Sequence, residues 1–212
     1  MKYNLVKKDA LLSKRKVIFY TVFLLVVLLL VKLTIHHALI ENILVAAIGG
    51  LFSYFITVIL FEAEGKYKAE VTVAILPYTR KEIVLSKYSC VILGSLIFYI
   101  LCFVEMGILT LFKIGTFSGG GIAYGIAVSF IIHAGMIPFF MKFDYIKAAN
   151  VMMLGIMVWS VLFVLFAKKI VGFMDIVNGL QSLNIQIVLI VSIIILLVSY
   201  LMSVAIYEKK EL

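Results

Sequence analysis

Charged residues are scarce in this sequence of 212 residues, of which they make up 14%, whereas an ordinary soluble domain carries about a quarter. Hydrophobic residues make up 65%, and the mean hydropathy is +1.21. A soluble core cannot absorb this excess of apolar side chains, so the composition excludes an ordinary soluble domain. It predicts an all-α integral membrane protein.

Motifs that carry chemistry are also missing. The only two cysteines, Cys90 and Cys102, lie in one apolar run at a spacing that suits neither a disulfide framework nor a zinc site. No GxxxxGK[ST] loop is present to hold nucleotide phosphates, and no GxSxG or HExxH motif indicates a protease. We therefore expect no catalytic residue, no metal site and no cofactor in this chain, which cannot hydrolyse ATP alone.

Long apolar runs are what the sequence does contain. A helix crosses the hydrocarbon layer in about 20 apolar residues, and backbone groups in lipid must be satisfied within the segment. Six runs meet this length and lack the alternation of barrel strands. They lie at Val17 to Leu33, Ile43 to Phe61, Ser89 to Phe112, Gly120 to Met141, Ala148 to Ala167 and Ile185 to Tyr207.

The basic residues predict the orientation of these spans. Fifteen of the nineteen Lys and Arg residues fall in the N-terminal segment, the 62–87 and 142–147 loops and the C-terminal tail. Cytoplasmic loops are the ones enriched in Lys and Arg, so we expect both termini inside. The net charge of +8 then records topology and contact with lipid headgroups, and predicts no nucleic-acid partner.

The segments outside the spans have their own patterns. Residues 1–16 are basic and amphipathic, which predicts a cytoplasmic helix along the inner leaflet. Residues 17–212 then form a single six-helix transmembrane domain. Within it, residues 168–184 have helical spacing of apolar side chains, which suits either a short helix on the outer surface or a packed connector.

The largest cytoplasmic element, which we call the elbow (residues 62–87), contains two helical patterns separated by Pro77. After the proline, Thr79 and Glu82 have the spacing of a capping box, so we expect a new helix to begin near Arg80 and run into the third span. From pattern alone, the elbow is either a loop folded against headgroups or a docking element for a cytoplasmic protein.

The elbow sequence KYKAEVTVAILPYTRKEIVLSKY, together with the six-span layout, resembles the type-2 family of ABC transporter permeases, the membrane subunits of ATP-driven exporters. The resemblance implies that the elbow carries a coupling helix between spans 2 and 3, which contacts separate cytoplasmic ABC ATPase subunits. Those subunits would bind ATP and Mg. It also implies a second permease chain, identical or related. By position, the implied ATPase contacts are Tyr67, Val71, Ile75, Leu76, Tyr78, Arg80, Lys81 and Glu82.

Two ionisable residues lie within predicted spans, Glu105 in the third and His133 in the fourth. Such residues are costly in lipid and mark candidate sites on the translocation pathway. Glu105 suits either a pathway carboxylate or a protonated side chain bonded to another helix. His133 suits a packing histidine better than a proton relay, and the two residues lie at different depths.

The resemblance implies export of an amphipathic or hydrophobic substrate, such as a peptide, drug or lipid, across a bacterial plasma membrane. An ATP-independent carrier or channel and a membrane-embedded peptide-immunity protein remain alternatives. A carrier predicts charged or broken spans near the midplane or an inverted repeat, and neither is evident in the sequence.

Overall fold

A computed structural model describes residues 2–34, 38–67, 78–112, 119–143, 145–151 and 184–209. Within these ranges the regular structure is helical throughout and contains no strand. This confirms the all-α fold class. The predicted fifth span beyond residue 151 and most of the 168–184 segment lie outside the described residues.

The first helix, α1 (Lys2–Thr34), is continuous over 33 residues. The sequence predicted a separate interfacial helix for residues 1–16 before the first span, but the described chain has no break between the two. Neither proline nor glycine interrupts residues 2–34, so nothing in the backbone chemistry forces a bend. At about 1.5 Å per residue, α1 is about 50 Å long, which exceeds the hydrocarbon thickness of about 30 Å.

The described residues form four further long helices: α2 (Ala38–Tyr67), α3 (Arg80–Leu111), α4 (Gly119–Lys142) and α5 (Ile185–Glu208). A shorter helical stretch covers 145–151. Both flanks of the elbow are therefore helical, since residues 62–67 continue α2 and residues 80–87 begin α3. The predicted start of a new helix near Arg80 is confirmed.

Helix α4 lies at the centre of the described bundle, where it packs most extensively against α2 and α5. Helix α1 packs on α2 and α3, and α3 also contacts α4 and α5. Stacked aromatic pairs join the helices. Phe52 stacks on Phe98 with ring centroids 4.2 Å apart, and Phe61 stacks on Phe140 at 4.9 Å.

Among the described residues, four helices are long and apolar enough to cross a membrane, at residues 42–66, 80–111, 119–142 and 185–208. Large apolar side chains on α1, α3 and α5 are exposed on the outside of the described bundle, for example Phe23, Ile100 and Leu201. Such surfaces suit a hydrocarbon solvent. The chain is therefore a multi-pass membrane protein.

The contacts define one end of this bundle, which we call the elbow end. It holds the start of α1, the end of α2, the start of α3 and the end of α5. The described part of the predicted ATPase-contact set lies there, and so does a buried cluster of charged side chains.

Candidate functional site

The elbow enters α3 through a capping box. The Thr79 hydroxyl accepts a hydrogen bond from the Glu82 backbone N–H at 3.3 Å, and the Thr79 backbone N–H donates to Glu82 Oε2 at 3.1 Å. Both bonds satisfy backbone donors that the first helical turn leaves without partners. The predicted capping box is confirmed, and it fixes where helix α3 begins within the elbow.

Arg80 links the start of α3 to the end of α5. Its Nη1 donates to the backbone carbonyls of Tyr207 at 2.9 Å and of Glu208 at 2.6 Å. These carbonyls lie in the last turn of α5, where helical partners are lacking and a positive charge is favourable. Arg80, which the sequence assigned to the ATPase contact, therefore also caps the last described helix.

The other predicted contact residues divide into two groups. Lys81 is exposed, with its Nζ 4.0 Å from Glu208 Oε1, and the half-buried Tyr78 packs against the hydrophobic core. Val71, Ile75 and Leu76 lie outside the described residues, and so does the side chain of Tyr67.

Where the two flanks of the elbow meet, three helices come together at a buried charged cluster. Lys87 of α3 forms ion pairs with Glu64 of α2 and with Asp9 of α1, whose Oδ1 lies 2.9 Å from Lys87 Nζ. Lys8 Nζ lies 3.2 Å from Asp9 Oδ1 and 3.7 Å from Glu64 Oε1, and the Ser86 hydroxyl donates to Asp9 Oδ2 at 3.3 Å. Sequence reasoning missed this set, which we call the ionic cluster.

Asp9 Oδ1 accepts no hydrogen bond from the described residues, although two ammonium groups lie within 3.2 Å of it. Lys87 forms an ion pair with Asp9 and a direct hydrogen bond to Glu64. Charged residues in three segments next to apolar runs are the sequence feature that could have indicated the cluster, but they do not reveal the pairing.

In the middle of the bundle, His133 of α4 is fully buried and bonds to two other helices. Its Nδ1 lies 2.9 Å from Thr57 Oγ1 of α2, and its Nε2 lies 2.8 Å from Ser95 Oγ of α3. The Thr57 hydroxyl donates its hydrogen to the carbonyl of Ser53, so it can only accept from the ring. Nδ1 therefore carries a hydrogen, and in the neutral ring Ser95 then donates to Nε2.

The geometry of His133 matches the packing interpretation. Both ring nitrogens already bond to side chains within the same chain, so Glu105 is not its hydrogen-bond partner. Glu105 itself is half-buried on α3, and its buried Oε2 atom has no hydrogen-bond partner within the described ranges. An unpaired carboxyl oxygen in an apolar span keeps Glu105 as a candidate pathway residue.

Tyr99 of α3 occupies a narrow space between α2 and α4. Its hydroxyl bonds to Ser129 Oγ at 2.7 Å, and Ser129 donates to the carbonyl of Gly125 at 2.9 Å. A Cβ at Gly49 would lie 2.0 Å from the Tyr99 hydroxyl oxygen, and one at Gly125 would lie 2.8 Å from the ring. Only glycine fits at these two positions while the ring stays there.

Hydroxyl groups also connect α5 to the bundle. The Tyr88 hydroxyl of α3 lies 2.6 Å from Ser199 Oγ and 2.9 Å from Ser203 Oγ, both on α5. Ser199 in turn donates to the carbonyl of Ala134 in α4 at 2.6 Å. Within the described ranges, no group of three or more His, Cys, Asp and Glu side chains could hold a metal ion.

Comparison with known proteins identifies the family. Residues 4–208, nearly the whole chain, match the family described as "ABC-2 family transporter protein". The chain belongs to the ABC-2 family. No match is found among curated proteins or among solved structures. The resemblance to type-2 ABC permeases is therefore confirmed over residues 4–208, and this ABC-2 permease is a membrane transporter component that is not catalytic by itself.

Proposed function

We propose that this ABC-2 permease is the transmembrane subunit of an ATP-driven exporter in a bacterial plasma membrane. Six spans with both termini inside would pair with a second permease chain, identical or related, to form the path. The substrate would be an amphipathic or hydrophobic molecule, such as a peptide, a drug or a lipid. The family match over residues 4–208 carries this proposal.

The energy would come from separate ATPase subunits that bind ATP and Mg and contact the elbow. The local structure supports this assignment, because the elbow leads through a capping box directly into α3. Helix α3 contains 32 residues, about 48 Å, and so it extends beyond an apolar layer of about 30 Å. A displacement of the elbow would therefore act on one end of a long, continuous helix.

Arg80 is unsuitable for testing the ATPase contact, because it also has a structural role. Because Arg80 caps α5, its removal would perturb the fold as well as any docking surface. We therefore place the test on Val71 and Ile75, whose spacing of four residues predicts one helical face in the elbow. Glu105 remains our candidate for the substrate pathway.

The proposal is tested by co-expressing the tagged permease with the ATPase encoded nearest to its gene and measuring co-purified ATPase. The elbow variant is Val71→Ala with Ile75→Ala. The matched control is Val22→Ala with Val26→Ala, two exposed aliphatic residues at the same spacing on α1. We expect the ATPase to co-purify with the wild type and the control, and to be lost with the elbow variant.

Two results would contradict the proposal. Absence of any ATPase from the wild-type preparation would remove the basis for an ABC exporter. Equal recovery of the ATPase with the elbow variant and the control would place the contact elsewhere. The elution profile of each variant on size exclusion serves as the check on folding.

A further inference from the structure

The ionic cluster contains two charged side chains, those of Lys87 and Asp9, that are almost completely buried. The exposed fraction of the side chain is 2% for Lys87 and 1% for Asp9. It rises to 10% for Glu64 and 31% for Lys8. The group therefore extends from the packed interior to the surface of the elbow end.

The formal charges of the cluster balance, with two lysines against two carboxylates. Removing either inner partner would leave an uncompensated charge in a water-poor site. Yet well-packed apolar residues of similar volume usually stabilise a fold as well as a buried ion pair does. Stability alone therefore does not explain why charges occupy this site, whereas a requirement for fixed relative positions of three helices does.

The location of the cluster meets that requirement. Glu64 lies three residues before the end of α2, and Lys87 lies seven residues after the start of α3. Glu64 therefore lies about 5 Å from the end of α2, and Lys87 lies about 10 Å from the start of α3, measured along each helix axis. The pair between them joins the two flanks of the elbow, and Asp9 adds the first helix, which is remote from the elbow in sequence.

We propose that Lys87, held by Asp9 and Glu64, is a positioning residue that makes α1, α2 and α3 move together when the ATPase displaces the elbow. This inference rests on the proposed function. Without the cluster, the elbow could move while the spans stay in place. ATP binding and hydrolysis would then continue without the change in the membrane helices that transport requires.

A matched pair elsewhere on the same helices provides the control. Lys16 Nζ of α1 lies 2.5 Å from Glu62 Oε1 of α2, but these side chains are 55% and 33% exposed. This pair joins α1 and α2 at the surface and does not include α3. Lys16→Met therefore removes a lysine from an ion pair without breaking the connection to the third helix.

The test uses the complete complex of permease and ATPase in lipid nanodiscs. An environment-sensitive fluorophore is attached at Leu111→Cys, an exposed position at the far end of α3, and its emission shift on adding ATP is measured together with ATP hydrolysis. Cys90 and Cys102 are buried and stay unlabelled. We expect the shift in the wild type, in Lys16→Met and in the conservative Lys87→Arg, and its loss in Lys87→Met while hydrolysis continues.

Each other outcome has a defined meaning. A Lys87→Met complex that hydrolyses ATP and keeps the full shift overturns the inference. If Lys87→Met does not fold, Glu64→Gln provides the test, because it keeps an acceptor for Lys87 but removes one charge; an undiminished shift in that variant also overturns the inference. Loss of ATPase association in Lys87→Met or Glu64→Gln overturns it as well, since the cluster would then serve assembly. A wild-type complex that hydrolyses ATP without a shift also overturns the inference, whereas a wild-type permease that recovers no ATPase contradicts the proposed function itself.

Discussion

Glycine at position 49 of α2 is required by the ring of Tyr99, and Gly49→Ala tests the packing of the described bundle. The added Cβ would lie 2.0 Å from the Tyr99 hydroxyl oxygen and 2.7 Å from Cε1. Movement of the ring towards α4 is restricted as well, because even a Cβ at Gly125 would lie 2.8 Å from Cε1 of the ring. Tyr99 must therefore leave its site or separate α2 from α3.

The expected loss follows from two terms. Overpacking of a well-filled interior destabilises by about 1–3 kcal/mol. Breaking the 2.7 Å bond between Tyr99 and Ser129 adds about 0.5–1.5 kcal/mol. The sum is about 1.5–4.5 kcal/mol, which corresponds to roughly 3–18 °C in melting temperature for a chain of this size.

The chain carries its own reporters for the assay. Cys90 and Cys102 are both buried and are the only cysteines, so a thiol-reactive dye gains fluorescence as the purified protein unfolds on heating. Gly107→Ala is the matched control, because its Cβ would have no described heavy atom within 4 Å. We expect it to melt at or slightly above the wild-type temperature, since alanine favours helix.

A double-mutant cycle makes the reasoning refutable. In a Tyr99→Ala background, Gly49→Ala should cost almost nothing, because the ring that it would collide with is absent. The packing described for Tyr99 is wrong if Gly49→Ala has the same melting temperature as Gly107→Ala. It is also wrong if Gly49→Ala lowers the melting temperature equally in the wild-type and Tyr99→Ala backgrounds.

Three further changes have defined outcomes. Thr79→Ala should lower stability by about 1 kcal/mol through loss of the helix cap, with Thr79→Ser close to wild type in the same melting assay. Arg80→Gln should speed amide hydrogen exchange in the last turn of α5, and unchanged exchange there would argue against the cap. His133→Leu should cost about 1–3 kcal/mol by leaving Thr57 and Ser95 without the ring, and His133→Asn should recover part of that loss because an amide both donates and accepts.

The helices with the clearest sequence patterns were predicted within a few residues. The fourth span was expected at Gly120 to Met141 and is observed at Gly119–Lys142. The start of α3 near Arg80 followed from the spacing of Thr79 and Glu82. The long continuous α1 was not predicted, because a change from polar to apolar composition does not by itself show whether the backbone bends.

The polar contacts between helices could not be derived from the sequence. Hydropathy shows that Lys87 lies beside a span but not that α1 and α2 bring Asp9 and Glu64 to it. Likewise, a glycine in α2 gives no indication that a tyrosine on α3 fills the space above it. These pairings depend on how helices distant in sequence pack together, and a single sequence contains no direct record of that packing.

The central claim is that this chain works as a permease subunit with a separate ATPase. The most direct measurement is the native mass of the complex purified from cells that express the chain with the ATPase encoded nearest to its gene. The account predicts a mass equal to two membrane chains plus ATPase subunits. A mass equal to this chain alone, or to copies of it without any ATPase, would contradict the account.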